Sequence, residues 1–153
     1  MDYFEKHIKT NQKAWDTKTP IHINSEFYNN EAFKKGESSL KSFELEAIGD
    51  IKGKSILHLQ CHFGQDSMSL ARMGAHVTAV DFSAIAIKEA KAISKEINVP
   101  VNFIESSVLE LELNKKFDII YSSYGAIGWL PDLNKWGDTI SRHLKKGGTF
   151  LLT

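Results

Sequence analysis

Two short polar stretches of the chain have residue types that could bind a nucleotide-like ligand. Residues 60–66 follow a short apolar run and lead into a predicted helix. A helix N-terminus presents unpaired N–H groups and partial positive charge, which suits a carboxylate or a phosphate, and Gly64 would let the backbone approach a ligand closely. Asp81 ends the next apolar run, at about the spacing at which an acid accepts hydrogen bonds from ribose hydroxyls. The two stretches together favour a ribose-containing ligand.

The glycine content of this turn separates two classes of nucleotide-binding protein. A dinucleotide-binding turn needs glycines at three set positions, and residues 60–66 supply only Gly64. An NAD-dependent oxidoreductase is therefore disfavoured but stays an alternative. Asp81 taken alone is equally well explained as an exposed loop acid or as a helix N-cap, for which Ser83 competes. The ribose interpretation therefore depends on Asp81 and the turn together.

Three side chains near the turn, His58, Cys61 and His62, are of types that can bind a metal ion. Side chains along a strand and a turn need not point the same way, and no second cluster of ligands follows in the sequence. We therefore predict no metal site. Nothing close to Cys61 apart from the helix terminus would lower the pKa of its thiol, so we do not expect it to act as a nucleophile.

The bulk composition limits the class of partner. The chain has 153 residues, of which 42% are hydrophobic and 25% are charged, and this is enough for one domain with one core. Its 19 lysines and arginines balance 19 aspartates and glutamates. No cationic excess is available for a nucleic-acid backbone or an anionic membrane. We therefore expect a small-molecule partner, and neither nucleic acid nor membrane.

Cysteine content and hydropathy bear on location. A chain with the single cysteine Cys61 cannot form an intrachain disulfide, which suits a reducing compartment. The N-terminal segment lacks the basic start and apolar run of a signal peptide, and no apolar stretch is long enough to span a bilayer. We therefore expect a cytoplasmic protein.

The chain divides near Gly53 into two predicted regions, a cap segment over residues 1–52 and a core over residues 53–153. The first region is polar with scattered aromatic residues. A proline disfavours helical conformation in the residue before it, and apolar residues at helical spacing indicate a helix with one buried side. On these grounds the predicted elements are a helix over 1–18 that Pro20 breaks, an irregular or extended segment over 21–30, and a helix over 39–49 with Leu40, Phe43, Ala47 and Ile48 on one side.

The core region alternates short apolar runs with amphipathic segments. The predicted strands are residues 55–59, 76–80, 101–104, 117–122 and 149–152. The first predicted helix covers residues 66–73. The second covers 84–97, is capped by Ser83, and has Ile87, Ala90, Ile93 and Ile97 on its buried side. The third is capped by Asp132 and ended by residues 145–148, and its buried side carries Leu133, Trp136, Ile140 and Leu144. Alternating strands and helices indicate right-handed crossovers and a parallel sheet covered on both faces. The predicted fold is α/β, a Rossmann-like doubly wound parallel sheet.

Four stretches of this core carry a resemblance to a known family: residues 56–67, 74–83, 117–124 and 128–133. They resemble the first motif, its acidic follow-on and the fourth-strand region of bacterial class I S-adenosylmethionine-dependent methyltransferases, and within these an uncharacterised branch. The N-terminal Trp15, Asp16 and His22 are similar to that branch too. The resemblance covers most of the chain from about Asn11 onward. It implies an enzyme that transfers a methyl group from S-adenosylmethionine.

The chain departs from the general pattern of that family, an acid followed by three alternating glycines. His58 stands at the position of the acid, Gln60 and His62 replace the first two glycines, and Gly64 remains. Ser107 stands where the family usually has an aspartate for the adenine amino group. A serine hydroxyl accepts that hydrogen bond less strongly than a charged acceptor does. We therefore expect a modest cofactor affinity, which calorimetric titration with S-adenosylhomocysteine would measure.

The resemblance also implies which residues bind the cofactor. Gln60, His62 and Gly64 would line the methionine end, and Asp81 would bind the ribose. Phe82, Ser107 and Val108 would surround the adenine. Ser122 and Ser123 would lie beneath the sulfonium region. The resembling family continues beyond the fifth strand, so the resemblance predicts that this chain lacks the final strands of the core. An exposed fifth strand invites pairing with another chain, and we expect self-association through it.

Few residues stand out on the acceptor side. Displacement at a sulfonium needs alignment and exclusion of water rather than a dedicated nucleophile. The polar residues that could hold or take a proton are His22, Tyr28 and Tyr124, and Trp129 could either wall an acceptor pocket or pack its loop. The Asn-Pro-Pro-Tyr signature of methylases that act on DNA bases or protein glutamine is absent after the fourth strand. A small-molecule acceptor is predicted, with a non-catalytic nucleotide-binding fragment as a further alternative.

Overall fold

One parallel sheet with helices around it makes up the described part of the chain. The computed structural model describes residues 3–153, so Met1 and Asp2, with which the first predicted helix begins, lie outside the described residues. The strands are β1 (Ser55–Leu59), β2 (His76–Asp81), β3 (Asn102–Glu105), β4 (Phe117–Ser122) and β5 (Leu144–Leu152). The α-helices are α1 (Tyr3–Ile23), α2 (Asn30–Lys34), α3 (Ser42–Ile48), α4 (Gln65–Arg72), α5 (Ala84–Glu96) and α6 (Leu133–His143), and a 3-10 turn (Ile127–Trp129) follows β4.

The strands lie in the order β3-β2-β1-β4-β5, and every neighbouring pair is parallel. The chain runs outward from β1 to β3 and then returns to place β4 on the other side of β1. The carboxyl ends of β1 and β4 therefore form the point at which the strand order reverses, where ligands of open α/β sheets bind. The predicted doubly wound parallel fold is confirmed.

Side chains of the central strands alternate between two apolar clusters, one on each face of the sheet. Ile56 and Ile119 pair in register and pack into one cluster, which helices α4 and α5 cover. Leu57 and Ile120 pair in the same way and pack against Trp136 of α6 in the other cluster. A strand that is buried on both faces carries a continuous apolar run. This is why short apolar runs were sufficient to predict the strands.

Helix α1 runs through Pro20, where the sequence predicted its end. The proline is exposed, and the helix is held by contacts to the rim of the sheet. One of them is the side-chain amide of Gln12, which donates to the Phe82 carbonyl at 2.6 Å. Such tertiary contacts outweigh the local preference against helix before a proline, so the predicted break was wrong. The irregular segment that follows is confined to residues 24–29, because α2 begins directly after it.

Helix α3 faces the core with a different side from the one predicted. Of the four residues predicted on its buried side, Leu40 and Ile48 are buried. Phe43 and Ala47 are exposed. The reason is Glu44, which is fully buried. Its carboxylate accepts hydrogen bonds from the Lys41 N–H at 2.8 Å and from the Tyr121 hydroxyl. These bonds turn Glu44 inward and leave the neighbouring Phe43 in solvent.

Helix α6 is capped as predicted, since the Asp132 carboxylate accepts from the Lys135 N–H at 3.0 Å. Trp136 is buried, but Leu133 was wrongly placed on the buried side and is 52% exposed. Strand β5 starts at Leu144, directly after the helix and five residues before its predicted start. A register shift relative to β4 accommodates the extra residues, as a bulge does in an edge strand.

Helices α1 to α3 precede the sheet in the chain, and the division into residues 1–52 and 53–153 stays a prediction. Strand β5 lies at one edge of the sheet and β3 at the other, and Leu152 of β5 is 42% exposed. Self-association through the β5 edge also stays a prediction. Among the helices of residues 3–153, none has the length and hydropathy that a membrane span requires.

Gly64 and Gly53 allow a matched test of packing behind the first turn. Both have a left-handed backbone, with φ of +81° and +76°, but a Cβ at Gly64 would lie 2.6 Å from the Phe103 ring whereas one at Gly53 would meet no described atom within 4 Å. We expect Gly53→Ala to lower the free energy of unfolding by about 1–2 kcal/mol through backbone strain. Gly64→Ala should lower it by about 1–3 kcal/mol more, because the ring must move. Urea unfolding of both variants measures the difference, and equal losses would contradict this packing.

Candidate functional site

A cavity of about 520 Å³ opens at the carboxyl edge of the sheet, where the strand order reverses. The turn after β1, the end of β2 and the segments after β3 and β4 form its floor, and residues of α1 and of the segment before α2 contribute to its wall. The predicted cofactor residues that line it are Gln60, His62, Gly64, Asp81, Phe82, Ser107, Val108 and Ser123. The fold therefore brings together side chains that are up to 63 positions apart in the sequence.

Ser122 is the exception among the predicted cofactor residues, since it is not part of the cavity wall. It is the last residue of β4 and fully buried. Its hydroxyl has no hydrogen-bond partner within residues 3–153. The side chain that reaches the cavity from this strand end is the neighbouring Ser123.

The Asp81 carboxylate joins the end of β2 to the turn after β1. One of its oxygens accepts the His62 N–H at 2.8 Å and the other accepts the Ser83 N–H at 2.9 Å. Asp81 is 7% exposed. A carboxylate has about four acceptor positions, so hydroxyl groups of a ligand can still bind on the cavity side. The geometry is therefore compatible with the ribose role that the sequence predicted.

Burial raises the pKa of Asp81 to about 6. The N–H donors of Ser83 and His62 oppose this rise, and the nearby carboxylate of Asp16 adds to it. The group is thus ionised at neutral pH but close enough to titration that mild acid protonates it.

The turn keeps a left-handed backbone at the two positions where glycine has been replaced. The φ angles are +58° at Gln60 and +53° at His62, and Gly64 follows with +81°. A left-handed conformation costs a residue with a side chain about 1–2 kcal/mol. The His62 N–H bond to Asp81 stabilises this backbone. The two residues therefore adopt a backbone conformation that glycine takes more readily.

Gln60 lines the cavity, and one acceptor of its side chain is unused. Its amide nitrogen donates to the Ala126 carbonyl at 2.9 Å. Its amide oxygen is buried and has no hydrogen-bond partner in the described residues. A buried acceptor without a partner is costly, and a ligand with a donor group would satisfy it.

His58, at the position of the family's acid, is a buried polar link rather than a ligand group. Its Nδ1 lies 2.7 Å from the Ser67 hydroxyl and its Nε2 lies 3.1 Å from the Ser123 hydroxyl. Burial lowers its pKa to about 3, so the ring is neutral at neutral pH. A neutral imidazole donates from one nitrogen and accepts at the other. His58 therefore orients Ser123 from behind the cavity wall.

A second acidic group, which the sequence did not predict as part of the site, lines the cavity at the start of α4. Asp66, in the first turn of α4, lines the cavity and accepts the Ser39 hydroxyl at 2.6 Å. Burial raises its pKa, and the carboxylate of Glu44 adds to this. In the sequence Asp66 is only the last residue of the polar turn, and nothing in the pattern of α3 indicates that Glu44 is buried. Only the packing of α3 on the sheet brings the two acids together.

The acceptor-side candidates line or adjoin an aromatic wall. Tyr28, Trp15 and Trp129 contribute to the cavity wall, and the two tryptophan rings meet edge to face with centroids 5.4 Å apart. The Lys18 ammonium lies 4.7 Å from the Trp129 ring and 5.1 Å from the Trp15 ring, a cation–π arrangement. Trp129 therefore lies in the cavity wall, and its role toward an acceptor stays a prediction.

The predicted proton-handling residues differ in their surroundings. Tyr124 lines the cavity but is 53% exposed, and desolvation together with Glu44 raises its pKa to about 12. Burial also raises the pKa of Tyr28. Both phenols therefore stay protonated at neutral pH. His22 does not line the cavity itself, but its Nδ1 lies 2.9 Å from Nε2 of His62, which does.

Comparisons with known proteins agree with this arrangement. Residues 56–148, from β1 into β5, match the family described as methyltransferase domain. The ubiquinone biosynthesis O-methyltransferase of Rickettsia akari (strain Hartford) is 30% identical over 98 residues, which are 64% of this chain and 39% of that protein. The chain spans 36–44% of the length of this and two further curated relatives of the same name.

Solved structures share the fold at lower identity. The phosphoethanolamine N-methyltransferase 1 of Haemonchus contortus, in complex with phosphoethanolamine and S-adenosylhomocysteine, superposes with a TM-score of 0.77 and 15% identity over 99% of this chain and 33% of its own. An S-adenosylmethionine-dependent methyltransferase from Clostridium acetobutylicum gives a TM-score of 0.65 and 22% identity over 94% of this chain and 56% of its own. The family match covers more than half of the chain and runs across the sheet and the cavity floor. The chain therefore belongs to the methyltransferase domain family.

Proposed function

We propose that this chain binds S-adenosylmethionine in the cavity and transfers its methyl group to a hydroxyl group of a small molecule. The observation that carries the proposal is the position of Asp81. A buried, ionised carboxylate stands at the carboxyl end of β2 and is fixed by two backbone N–H groups beside the turn after β1. Membership of the methyltransferase domain family favours this function over the NAD-dependent oxidoreductase alternative.

The residues of the cavity fit the chemical groups of this cofactor. The unused amide oxygen of Gln60 suits the ammonium group of the methionine part, because it is an acceptor that no described residue fills. Asp81 suits the two ribose hydroxyls, and the half-buried Phe82 offers an apolar face to the adenine. A cavity of about 520 Å³ lies within the range of pockets that enclose a ligand of this size.

The remaining predicted contacts lie along the same wall. Ser107 and Val108 follow β3 and would flank the adenine. The Ser107 hydroxyl oxygen is 3.3 Å from the Leu109 N–H, which keeps the hydroxyl near the cavity rim. Ser123, oriented by His58, would lie near the sulfonium region, whereas the buried Ser122 lies behind the wall and contributes shape only.

The chain's own residues would act mainly by positioning. When bound, S-adenosylmethionine supplies an activated methyl group on a sulfonium, so the protein needs no nucleophile of its own. The aromatic wall of Trp15, Tyr28 and Trp129 would hold an acceptor and exclude water from it. Planar rings pack well against such a wall. The relatives named as ubiquinone biosynthesis O-methyltransferases support oxygen as the methylated atom.

We also propose a reducing, cytoplasmic location. The support is the single cysteine of the sequence, Cys61, which is buried and free. Burial raises the pKa of its thiol well above the usual value, so it is poorly reactive in the folded chain.

Calorimetric titration with S-adenosylhomocysteine tests the binding site. We expect saturable binding by the 153-residue chain, and a loss of about 10- to 100-fold in affinity for Asp81→Asn, because hydrogen bonds to a charged acceptor contribute about 1.5–3 kcal/mol. Asp138→Asn is the matched control, since Asp138 is exposed on α6 and outside the cavity wall. A ¹⁵N–¹H spectrum establishes that each variant is folded.

Three results would contradict the proposal. They are no saturation with S-adenosylhomocysteine, equal affinities of the wild type and the folded Asp81→Asn variant, and displacement of the ligand by NADH at lower concentration than by S-adenosylmethionine. Saturable binding without methyl transfer to any hydroxyl compound would instead favour the non-catalytic nucleotide-binding alternative.

The pKa of Asp81 predicts how binding depends on pH. Ribose hydroxyls donate to the ionised carboxylate, so affinity for S-adenosylhomocysteine should be constant near pH 8 and fall by about tenfold at pH 5, where a group with a pKa of about 6 is mostly protonated. Asp81→Asn should remove this pH dependence. Calorimetry at pH 5, 6, 7 and 8 provides the measurement, and a pH-independent affinity in the wild type would contradict the assignment.

Protonation of Asp81 does not unfold the chain, so unfolding caused by this group cannot explain the weaker binding at low pH. Its pKa in the folded chain lies above the usual value of 3.8, so protonation stabilises the folded state. That contribution is complete below about pH 4 and is lost as the pH rises through 6. The titration of Asp81 therefore makes the fold more stable, not less, over the range in which binding weakens.

A further inference from the structure

We propose that His22 and His62 form a proton-accepting pair for the acceptor hydroxyl, with His62 as the catalytic residue and His22 as the residue that positions it and passes the proton onward. This inference rests on the proposed function, because it assigns the base for the same methyl transfer. Nothing in the family motif points to the pair, since one histidine replaces a glycine of the turn and the other lies in the last turn of α1.

The two rings are held together by contacts from several elements. Nδ1 of His22 lies 2.9 Å from Nε2 of His62, and the rings are nearly perpendicular, at 88°. Trp15 and Tyr28 each pack against both rings, with centroids 5.1–5.9 Å apart. The Phe63 ring meets the His62 ring edge to face, with centroids 4.7 Å apart. A ring enclosed in this way cannot turn freely, so the hydrogen bond between the two nitrogens is well defined.

The backbone of His62 is fixed as firmly as its ring. Its N–H donates to Asp81, the group proposed to bind the ribose. His62 lines the cavity, on the side where α1 and Tyr28 form the aromatic wall. His62 therefore connects the pair to the proposed cofactor site through its backbone and to the proposed acceptor region through its place in the cavity wall.

Burial, with a smaller contribution from nearby charges, keeps both rings neutral. Burial and the neighbouring His22 together lower the pKa of His62 to about 3. Burial and the Lys18 ammonium on α1 lower the pKa of His22. The other titratable groups near the pair are Asp81 after β2 and Tyr28 before α2. Because a shared hydrogen bond uses one N–H and one lone pair, a neutral pair always keeps one outer nitrogen with a free lone pair.

The proton transfer balances as follows. With Nε2–H of His62 donating to His22, the lone pair on Nδ1 of His62 accepts the proton of the acceptor's hydroxyl. The hydroxyl oxygen keeps the electron pair of the broken O–H bond and bonds to the methyl carbon, whose bond to sulfur breaks with its electron pair going to sulfur. As that proton arrives, the Nε2 proton of His62 passes to Nδ1 of His22 and the Nε2 proton of His22 passes to solvent, so neither ring has to carry a positive charge. After the product leaves, the reverse shift takes a proton from solvent at His22, releases one from Nδ1 of His62 to water in the cavity, and restores the starting tautomers. One proton is released for each methyl group transferred.

A simpler role for the contact would be to clamp α1 onto the turn after β1. His22→Asn distinguishes the roles, because an asparagine amide can replace Nδ1 in a hydrogen bond but cannot take up a proton. His7→Asn is the matched control, since His7 is an exposed histidine of the same helix and lies outside the cavity wall.

The test uses the wild-type chain with S-adenosylhomocysteine and catechol, a phenolic probe, and long-range ¹H–¹⁵N spectra of the imidazole rings. We expect catechol to shift the ring signals of His62 and those of His22, while the exposed His7 and His76 do not respond. With S-adenosylmethionine and catechol, His22→Asn should lower kcat/KM at pH 7 by about 100-fold, the scale of general-base catalysis. The loss should shrink toward alkaline pH, where the probe ionises without a base.

The outcomes separate this inference from the proposed function. Absence of S-adenosylhomocysteine binding would overturn both. Binding of S-adenosylhomocysteine with no response of the His62 ring to 10 mM catechol, on the order of a weak fragment's dissociation constant, would overturn the pair alone. A His22→Asn variant with the kcat/KM of the wild type, or with a loss that does not change with pH, would assign the contact to clamping and overturn the pair as well.

Discussion

The site depends on one short-range interaction, in which the Asp81 carboxylate accepts hydrogen bonds from two backbone N–H groups. The bond to His62 joins the ends of two neighbouring strands through a single buried charge, and the bond to Ser83 holds the carboxylate at the end of β2. Parallel strands alone would bring β1 and β2 side by side, but they would not fix the path of the turn that follows β1. The carboxylate fixes it, and with it the left-handed backbone at Gln60 and His62. Asp81, which is proposed to bind the ribose, therefore also shapes the turn beside the ribose position.

Helix α1 depends on the same corner of the molecule. Its Asp16 side chain accepts a hydrogen bond from the Ser83 hydroxyl, and its His22 ring contacts the His62 ring. Only Thr19 of this helix is buried among the residues that the structure describes. Polar contacts and aromatic packing at the cavity rim, rather than burial in the core, therefore hold α1 over the site. Such a segment is of low local stability compared with the sheet, which suits a wall that must admit a ligand.

The sheet could be predicted from the sequence because strands buried on both faces leave a local signal, and Gly64 and Asp81 could be recognised from their places at strand ends. The N-terminal region could not be predicted in the same way. The helix through Pro20, the inward turn of Glu44 and the meeting of His22 with His62 result from contacts between residues 40 to 77 positions apart. Neither propensity nor periodicity carries information on contacts of that range. For the same reason, eight of the predicted cofactor residues reach the cavity, whereas Ser122 lies one position too early on its strand.

A crystal structure of the chain with S-adenosylhomocysteine tests the central claim most directly. The account predicts both ribose hydroxyls within hydrogen-bonding distance of the Asp81 carboxylate, the amino-acid end beside the unused amide oxygen of Gln60, and the adenine against Phe82. The turn after β1 should keep its course, because its hydrogen bond to Asp81 is already formed. A ligand that docks away from the carboxyl ends of β1 and β2, or that leaves the Asp81 carboxylate without a hydroxyl partner, would contradict the account.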